Sequence, residues 1–359
     1  MDELVALARR LISYDTSRPD PIHEAAGFIK GWLEARGIEA RQDWVRDLPV
    51  TFAEVGKGGP CVVLHGHVDV VPGYPEQYEA RVEGDRLIGR GAYDMKGALA
   101  AILVVFAGMR DTDGVRVRLG IVADEESEEW DEKRGSDHLV DAGFVGDFAL
   151  TGEPTDLHIG VEAKGVLAVR LEVSGRAAHG ATPWEGDNAV LKAIDVFRSI
   201  ESLPFARQSS ELFDRPSINL GRIWGGDALN KVPDRCVIDV DIRYLPGQDS
   251  AMICKQIAEL PDVELLGHFA RPPASVDRDS SYLAALHAAV APHHTDAPMS
   301  VGRDGSSDAV SFLRAGVPAV EFGPLGAGHH GPDEWVSLSS LDSYRQALET
   351  FLRSLATED

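Results

Sequence analysis

Side chains that can bind metal ions or move protons recur in this chain wherever an apolar segment ends. The run CVVL is followed by HGHVD, the run LGIVA by DEE, and the run FALTG by a glutamate. A further aspartate precedes the apolar stretch GALAAILVVFAG, and a histidine lies in GHHGPDEW. In chain order these residues are His67, Asp69, Asp94, Asp124, Glu125, Glu126, Glu153 and His330.

Each of these residues has an ordinary explanation when it is taken alone. An aspartate ahead of a helix, such as Asp94, is usually an N-cap, and an acidic turn is usually solvated. Together, however, two histidines and three carboxylates form a ligand set for two divalent cations that share one bridging carboxylate. A ligand set of imidazole and carboxylate groups, without thiolate, suits Zn²⁺ first, with Co²⁺ or Mn²⁺ as substitutes. The three cysteines are far apart and predict neither a cysteine zinc site nor a disulfide framework.

The elements that must position these residues follow a strand–helix alternation. The short apolar runs around CVVLHG, VRVRLGIVA and GDFALTG are typical of strands buried on both faces. The segments IHEAAGFIKGWLEAR and KGALAAILVVFAGMR have the length and spacing of helices. This order predicts an α/β domain with a mostly parallel central sheet, in which sites form at the carboxyl ends of the strands.

The pattern changes near residue 165. Segments such as GVLAVRLEVSG and CVIDVDIRY alternate between apolar and polar residues, and DNAVLKAIDVFRSIES is helical. Two helices and about four alternating strands indicate an antiparallel α+β domain over residues 166–276. The α/β pattern then resumes, so residues 1–165 and 277–359 are predicted to form one discontinuous domain.

Six motifs give the chain a resemblance to a known family. HGHVDVVP, GRGAYDMKG, ADEE, TGEPT, GRAAHGATP and HHGPDEW resemble, in order and spacing, the motifs of the metallopeptidase M20 family. That family includes acetylornithine deacetylase, succinyl-diaminopimelate desuccinylase, aminoacylase-1 and carboxypeptidase G2. The similarity extends from about residue 5 to residue 355. It implies a zinc-peptidase-like catalytic domain that carries two Zn²⁺, with an inserted α+β dimerisation domain.

The resemblance also assigns the metal ligands. By the family pattern, His67 and Glu153 bind one zinc ion, Glu126 and His330 bind the other, and Asp94 bridges both. The choice of His330 over the preceding histidine rests on its position before Gly–Pro–Asp–Glu, which matches the family's run.

Further roles come from the same resemblance. Asp69 would orient the imidazole of the first ligand, and Glu125 would be the general base that activates water and protonates the leaving amine. His179, in the inserted domain, would donate to the oxyanion, acting on the partner subunit's site in dimeric relatives. Asn230 and Arg243 match positions that contact substrate, and Arg243 could bind a carboxylate bidentately.

These assignments predict a homodimeric hydrolase that removes an acetyl or succinyl group from an N-acyl amino acid. A dipeptidase or carboxypeptidase is the main alternative, and a non-catalytic metal- or ligand-binding protein is the alternative from another class. The formal net charge of −23 argues against nucleic acid and anionic membranes as partners. The N-terminal segment MDELVALARRLISYDTS lacks the apolar core of a signal peptide, which favours a cytoplasmic location.

Overall fold

The computed structural model describes residues 1–126, 134–294 and 299–356, and the chain divides into two compact units. The first unit consists of Met1–Val161, Val276–Val301 and Asp308–Asp359. The second consists of Glu162–Ser275 and Gly302–Ser307.

The helices of the described chain are α1 (Asp2–Ile12), α2 (Pro19–Glu34), α3 (Gly97–Gly108), α4 (Gly135–Asp141), α5 (Ala189–Ile200), α6 (Ser250–Ala258), α7 (Ser281–Val290), α8 (Ala309–Arg314) and α9 (Leu338–Leu355). The strands are β1 (Ala40–Val45), β2 (Leu48–Lys57), β3 (Cys61–His67), β4 (Arg81–Glu83), β5 (Arg86–Ile88), β6 (Val115–Val122), β7 (Phe148–Thr151), β8 (Ile159–Ala163), β9 (Gly165–Ser174), β10 (Ser217–Gly225), β11 (Arg235–Tyr244), β12 (Val263–Arg271), β13 (Ala274–Ser275), β14 (Ser300–Arg303), β15 (Ala319–Phe322), β16 (Gly326–Ala327) and β17 (Trp335–Ser337).

The first unit is built on a large mixed sheet, with strands in the order β1-β2-β6-β3-β7-β15-β8. The pairs β6·β3, β3·β7 and β7·β15 are parallel. The flanking pairs β1·β2, β2·β6 and β15·β8 are antiparallel. The predicted α/β class is therefore confirmed, but the sheet is parallel only at its centre. The hairpin of β1 and β2 explains one antiparallel flank, because strands joined by a two-residue turn must run in opposite directions.

Burial explains why the parallel strands lie at the centre. Every residue of β3 is buried, and β7 is buried throughout. The helix α3, GALAAILVVFAG, is apolar on all sides and almost entirely buried, as expected for a helix inside a layered core. The long α9 is amphipathic and buries a stripe that includes Leu341, Tyr344 and Phe351. A small separate sheet of the same unit has the order β16-β17-β5-β4.

The second unit contains an antiparallel four-stranded sheet in the order β10-β11-β9-β12. Helices α5 and α6 contribute Ala193, Phe197 and Ile253 to a core shared with the inward-facing residues of β9 and β11. The strand β10 lies at one edge, and most of its residues are exposed. These elements match the α+β composition that the alternating patterns predict.

The second compact unit nearly coincides with the predicted insert, and the largest difference is an additional segment. The insert was predicted over 166–276, and the compact unit spans Glu162–Ser275 together with Gly302–Ser307. The second segment lies in a region that the sequence assigned to the other domain. It is held by Lys164, whose N–H donates to the Arg303 carbonyl at 3.0 Å and whose ammonium lies 2.7 Å from Asp304. A long-range pairing of this kind leaves no local signal in the sequence.

Within the described residues, no helix is long and apolar enough to span a bilayer.

Candidate metal centre and catalytic residues

The candidate ligands converge because four neighbouring parallel strands end at the same edge of the sheet. His67 is the last residue of β3, Glu126 lies four residues beyond β6, and Glu153 lies two residues beyond β7. His330 lies farther along the chain from β15, in the segment between β16 and β17. In the parallel register His67 lies opposite Val122, and His65 lies opposite Thr151, so these strand ends are level. This is the edge at which α/β folds place their sites.

Asp94 lies between two histidines and presents one carboxylate oxygen to each. Its Oδ1 is 3.3 Å from His67 Nε2, and its Oδ2 is 3.5 Å from His330 Nε2. His330, not His329, makes this contact; the His329 ring packs against Tyr93 and His330 instead. A carboxylate that offers separate oxygens to two imidazoles has the arrangement expected of a bridging ligand.

Glu126 completes the group on the His330 side. Its Oε1 is 3.0 Å from His330 Nε2. Ligand atoms of His67, Asp94 and Glu126 all lie within 4.8 Å of one another. The backbone N–H of Glu126 donates to Asp69 Oδ2 at 2.8 Å, so this loop is anchored beside the first histidine.

Asp69 lies beside His67, whose imidazole the family resemblance predicts it to orient. Nδ1 of His67 lies 3.0 Å from the Asp69 carbonyl oxygen and 3.5 Å from its carboxylate. If Nδ1 donates its proton to Asp69, the lone pair of Nε2 faces Asp94. This is how histidine ligands are commonly oriented by a second carboxylate or carbonyl group.

Glu153 provides the test of whether these residues fit a metal. Its Oε1 lies 3.8 Å from His67 Nε2. That oxygen is buried, and it accepts no hydrogen bond from any residue in the described ranges 1–126, 134–294 and 299–356. A buried oxygen without a donor is costly in a protein interior, and a cation between Glu153 and His67 would remove that cost. The donor set of two imidazoles and three carboxylates therefore fits divalent cations of the zinc type.

Glu125 is directed differently from its neighbour Glu126. Nη1 of the buried Arg134 donates to the Glu125 carbonyl oxygen at 2.6 Å and lies 3.8 Å from its Oε1. Burial raises the pKa of Glu125 to about 8. A carboxylate with its pKa near neutrality is suited to take up and release a proton. Arg134 was not singled out from the sequence, because an arginine after an acidic run normally indicates a surface ion pair.

The pKa values of the candidate ligands reflect how closely these groups are packed. Hydrogen bonds to Asp94 and Glu126 raise the pKa of His330 to about 10. Burial alone would lower the pKa of His67, but its contacts with Asp69 and Asp94 raise it well above its ordinary value. Burial also raises the pKa of Glu153 well above its usual range. A cation that binds here therefore competes with protons for the same side chains.

We expect metal affinity to rise with pH, because a cation must displace these protons. The pKa of His330 is raised to about 10 and that of His67 is raised well above its ordinary value, so each cation should displace about one histidine proton, and its affinity should rise about tenfold per pH unit between pH 6 and 8. Competition with a chromophoric chelator at pH 6, 7 and 8 measures the affinity. Calorimetry in two buffers of different ionisation enthalpy counts the protons, and His330→Gln should release fewer. A pH-independent affinity would contradict this prediction.

His179, Asn230 and Arg243 all belong to the second unit, whereas the candidate ligands belong to the first. The exposed His179 lies in the turn after β9, and its Nδ1 accepts a hydrogen bond from Ala181 N–H at 3.0 Å. Asn230 is its neighbour, since its carbonyl oxygen accepts from Gly180 N–H at 2.7 Å. Arg243 lies on β11, and its Nε donates to Asp241 Oδ2 at 3.0 Å.

The fold and this cluster define a metal-dependent hydrolase of amide bonds. Comparison with known proteins agrees: residues 63–355 match Peptidase family M20/M25/M40, and the chain belongs to this family. It is 30% identical to succinyl-diaminopimelate desuccinylase of Gluconacetobacter diazotrophicus, covering 98% of this chain and 96% of that protein. It is 29% identical to a protein of Pyrobaculum aerophilum provisionally named a LysW-lysine/LysW-ornithine hydrolase, covering 93% and 94%.

The fold is also shared with solved structures. A tripeptidase from Staphylococcus aureus superposes with a TM-score of 0.82 over 99% of both chains, at 18% sequence identity. At that identity the likeness concerns the fold alone. The match over residues 63–355 and the relative at 30% identity confirm the family resemblance stated from the six motifs, and with it the membership in a family of metallo-hydrolases.

Proposed function

We propose that this protein removes a succinyl or acetyl group from the nitrogen of an N-acyl amino acid, using two divalent cations of the zinc type. The observation that carries the proposal is the position of Asp94, which offers one carboxylate oxygen to His67 and the other to His330. In this proposal His67 and Glu153 hold one cation, Glu126 and His330 hold the other, and Asp94 bridges them.

When bound, the two cations would polarise the scissile carbonyl and lower the pKa of a water molecule. Glu125 takes the proton of the attacking water and passes it to the amine as the carbon–nitrogen bond breaks. Its raised pKa supports both steps, because it can accept a proton and also return it. Arg134 holds the Glu125 backbone while this occurs.

His179 is proposed to donate a hydrogen bond to the oxyanion of the tetrahedral intermediate. Because its Nδ1 accepts a hydrogen bond from Ala181, the proton of the neutral ring resides on Nε2. That N–H is a hydrogen-bond donor on an exposed side chain, which is what an oxyanion requires. The turn that carries His179 is fixed by the contact between Gly180 and Asn230.

The substrate class is proposed from the relatives and from Arg243. Relatives at 28–30% identity in several bacteria are named succinyl-diaminopimelate desuccinylase. A succinylated amino acid carries at least two carboxylates, and the guanidinium of Arg243 could pair with one of them, with Asn230 as a further substrate contact. The ion pair with Asp241 fixes the Arg243 side chain on its strand.

A substrate panel tests the proposal. Rates would be measured with Zn²⁺ or Co²⁺ for N-succinyl and N-acetyl derivatives of diamino acids, for the same derivatives of neutral amino acids, and for dipeptides. We expect the highest kcat/KM for an N-acyl amino acid. Faster hydrolysis of dipeptides would instead support the peptidase alternative. Metal binding without turnover of any of these amides would support a non-catalytic binding protein.

We also propose that the protein is a homodimer through the second unit. The exposed edge strand β10 and the helix α5 carry large apolar side chains in contact with solvent. Trp224 on β10 is 47% exposed and Leu191 on α5 is 61% exposed, and Ile194 and Ile223 are exposed as well. An unpaired edge strand with apolar side chains favours association. A second copy of this chain suits it, because a two-fold axis pairs an edge with itself.

Complementation between inactive variants would test whether His179 serves the partner's site. His179→Ala and Glu125→Ala are each inactive in this scheme. Mixed under conditions that exchange subunits, half of the dimers would be mixed, and one site of each mixed dimer would regain both groups. Activity should return to about a quarter of the wild-type rate if exchange is random. Native mass spectrometry verifies the exchange.

The matched control mixes Glu125→Ala with Glu126→Ala. Both variants lack groups of the same subunit's site, so no site regains its full set and activity stays absent. If His179→Ala and Glu125→Ala also fail to complement despite verified exchange, His179 either acts within its own subunit or has no catalytic role.

A further inference from the structure

The two loops that carry Asp94 and His330 are far apart in the sequence, and one buried carboxylate lies between them. Glu334 is 1% exposed. Its Oε1 accepts hydrogen bonds from the backbone N–H groups of Tyr93 at 3.0 Å and Asp94 at 3.1 Å. Its Oε2 accepts from the Gly91 N–H at 2.9 Å. The carboxylate therefore fixes three backbone positions of the loop that presents the candidate bridging ligand.

Arg90 extends this arrangement to the other loop. Its Nη1 donates to Glu334 Oε2 at 2.8 Å, and its Nη2 lies 3.3 Å from the His330 carbonyl oxygen. His330 has a φ of 62°, in the left-handed region that is unfavourable for a residue with a side chain. The hydrogen bond from Arg90 is one of the contacts that hold it there. Glu334 and Arg90 thus connect the backbone of Asp94 to the backbone of His330.

The charge and shape of both groups are needed for this connection. The Glu334 carboxylate accepts four hydrogen bonds with two oxygens, and a glutamine has only one oxygen to accept them. The planar guanidinium of Arg90 reaches two acceptors at once, which a lysine ammonium does not do with the same geometry. Neither residue is itself a candidate ligand.

We propose that Glu334 and Arg90 are positioning residues that set the distance between Asp94 and His330, and so determine the affinity of the cation held by these two side chains. The inference rests on the proposed two-metal centre. Loss of the Glu334–Arg90 pair should lower the affinity for that cation most, because its binding depends on both loops. The cation on the side of His67 and Glu153 depends on only one of them.

Titration of the metal-free protein with Co²⁺ would test this inference. Visible absorbance and competition with a chelator give the two stepwise dissociation constants, and circular dichroism gives the thermal unfolding of the metal-free protein. The dissociation constant that His330→Gln raises belongs to the Co²⁺ on the His330 side. In Glu334→Gln and in Arg90→Lys we expect that constant to rise about 10- to 100-fold, in the range found for residues that orient metal ligands. The dissociation constant of the other Co²⁺ should change by less than about threefold, well below that range.

Two further variants make the comparison specific. His330→Gln shows the pattern of a centre that lacks this ligand, and Glu334→Gln should shift the dissociation constants in the same direction. Asp333→Asn removes one negative charge from the adjacent residue, whose side chain is exposed, and should bind both ions like the wild type. The measured quantity is the ratio of the two dissociation constants, which a general loss of stability would not widen.

The outcomes separate the inference from the proposal on which it rests. If the wild type binds fewer than two Co²⁺, the two-metal centre itself is wrong. If the wild type binds two and Glu334→Gln binds both with unchanged affinity, or loses both in equal measure, the positioning role is wrong. If Glu334→Gln does not fold, Arg90→Lys decides between these outcomes by the same ratio.

Discussion

Replacement of Glu125 by glutamine should lower kcat by about 10³-fold while both metal ions stay bound. General acid–base catalysis typically contributes 10²- to 10⁴-fold, and a glutamine amide cannot accept the proton of the attacking water. Metal binding should survive because it is Glu126, not Glu125, whose carboxylate lies 3.0 Å from His330. Arg134 can still donate its hydrogen bond to the backbone carbonyl oxygen of residue 125 when that residue is glutamine.

The neighbouring residue provides the matched control. Glu126→Gln is the same chemical change one position along the chain, and it should lose the metal on the His330 side. Metal content by mass spectrometry and initial rates would be measured on the same preparations. If Glu125→Gln lost metal and Glu126→Gln retained it, the roles of the two glutamates would have to be exchanged.

How far the sequence predicts this centre depends on how local each signal is. The proximity of His67, Glu126 and Glu153 follows from the sequence, because each lies just after a short apolar run and such strands end together in a parallel sheet. The family motifs add Asp94 and the choice of His330 over His329. Each of these inferences uses only the residues of one short segment of the sequence.

Other features depend on contacts between two segments of the chain, and they were not predicted. Arg134 contacts Glu125, which lies nine positions before it in the sequence, and nothing in its own neighbourhood distinguishes it from a surface arginine. Glu334 was part of a recognised motif, yet its four hydrogen bonds to the Asp94 loop and Arg90 join residues about 240 positions apart. The antiparallel flanks of the large sheet were not predicted for the same reason, because the direction of a strand depends on its pairing partners and not on its own apolar run.

Asp94→Ala should have a still larger effect, removing both metals and all measurable turnover. Each of the two oxygens of Asp94 faces a different histidine, at 3.3 and 3.5 Å, so one substitution takes a ligand from both proposed positions. It also removes a carboxylate that raises the pKa of His330, which should therefore fall back toward its ordinary value. Easier deprotonation of the histidine would favour metal binding, but it does not replace a bridging ligand.

Metal content per chain and the thermal unfolding of metal-loaded protein would measure this loss. Wild-type protein should unfold at a higher temperature when Zn²⁺ is added, because a ligand that binds only the folded state stabilises it. The unfolding temperature of Asp94→Ala should rise little when Zn²⁺ is added. Asp111 is exposed, so Asp111→Ala serves as a control whose unfolding temperature should rise as in the wild type. Asp94→Asn retains one carbonyl oxygen and should hold at most one metal. Two metals per chain in Asp94→Ala would show that Asp94 does not bridge them, and the centre would then have to be built from Glu126, Glu153 and the two histidines alone.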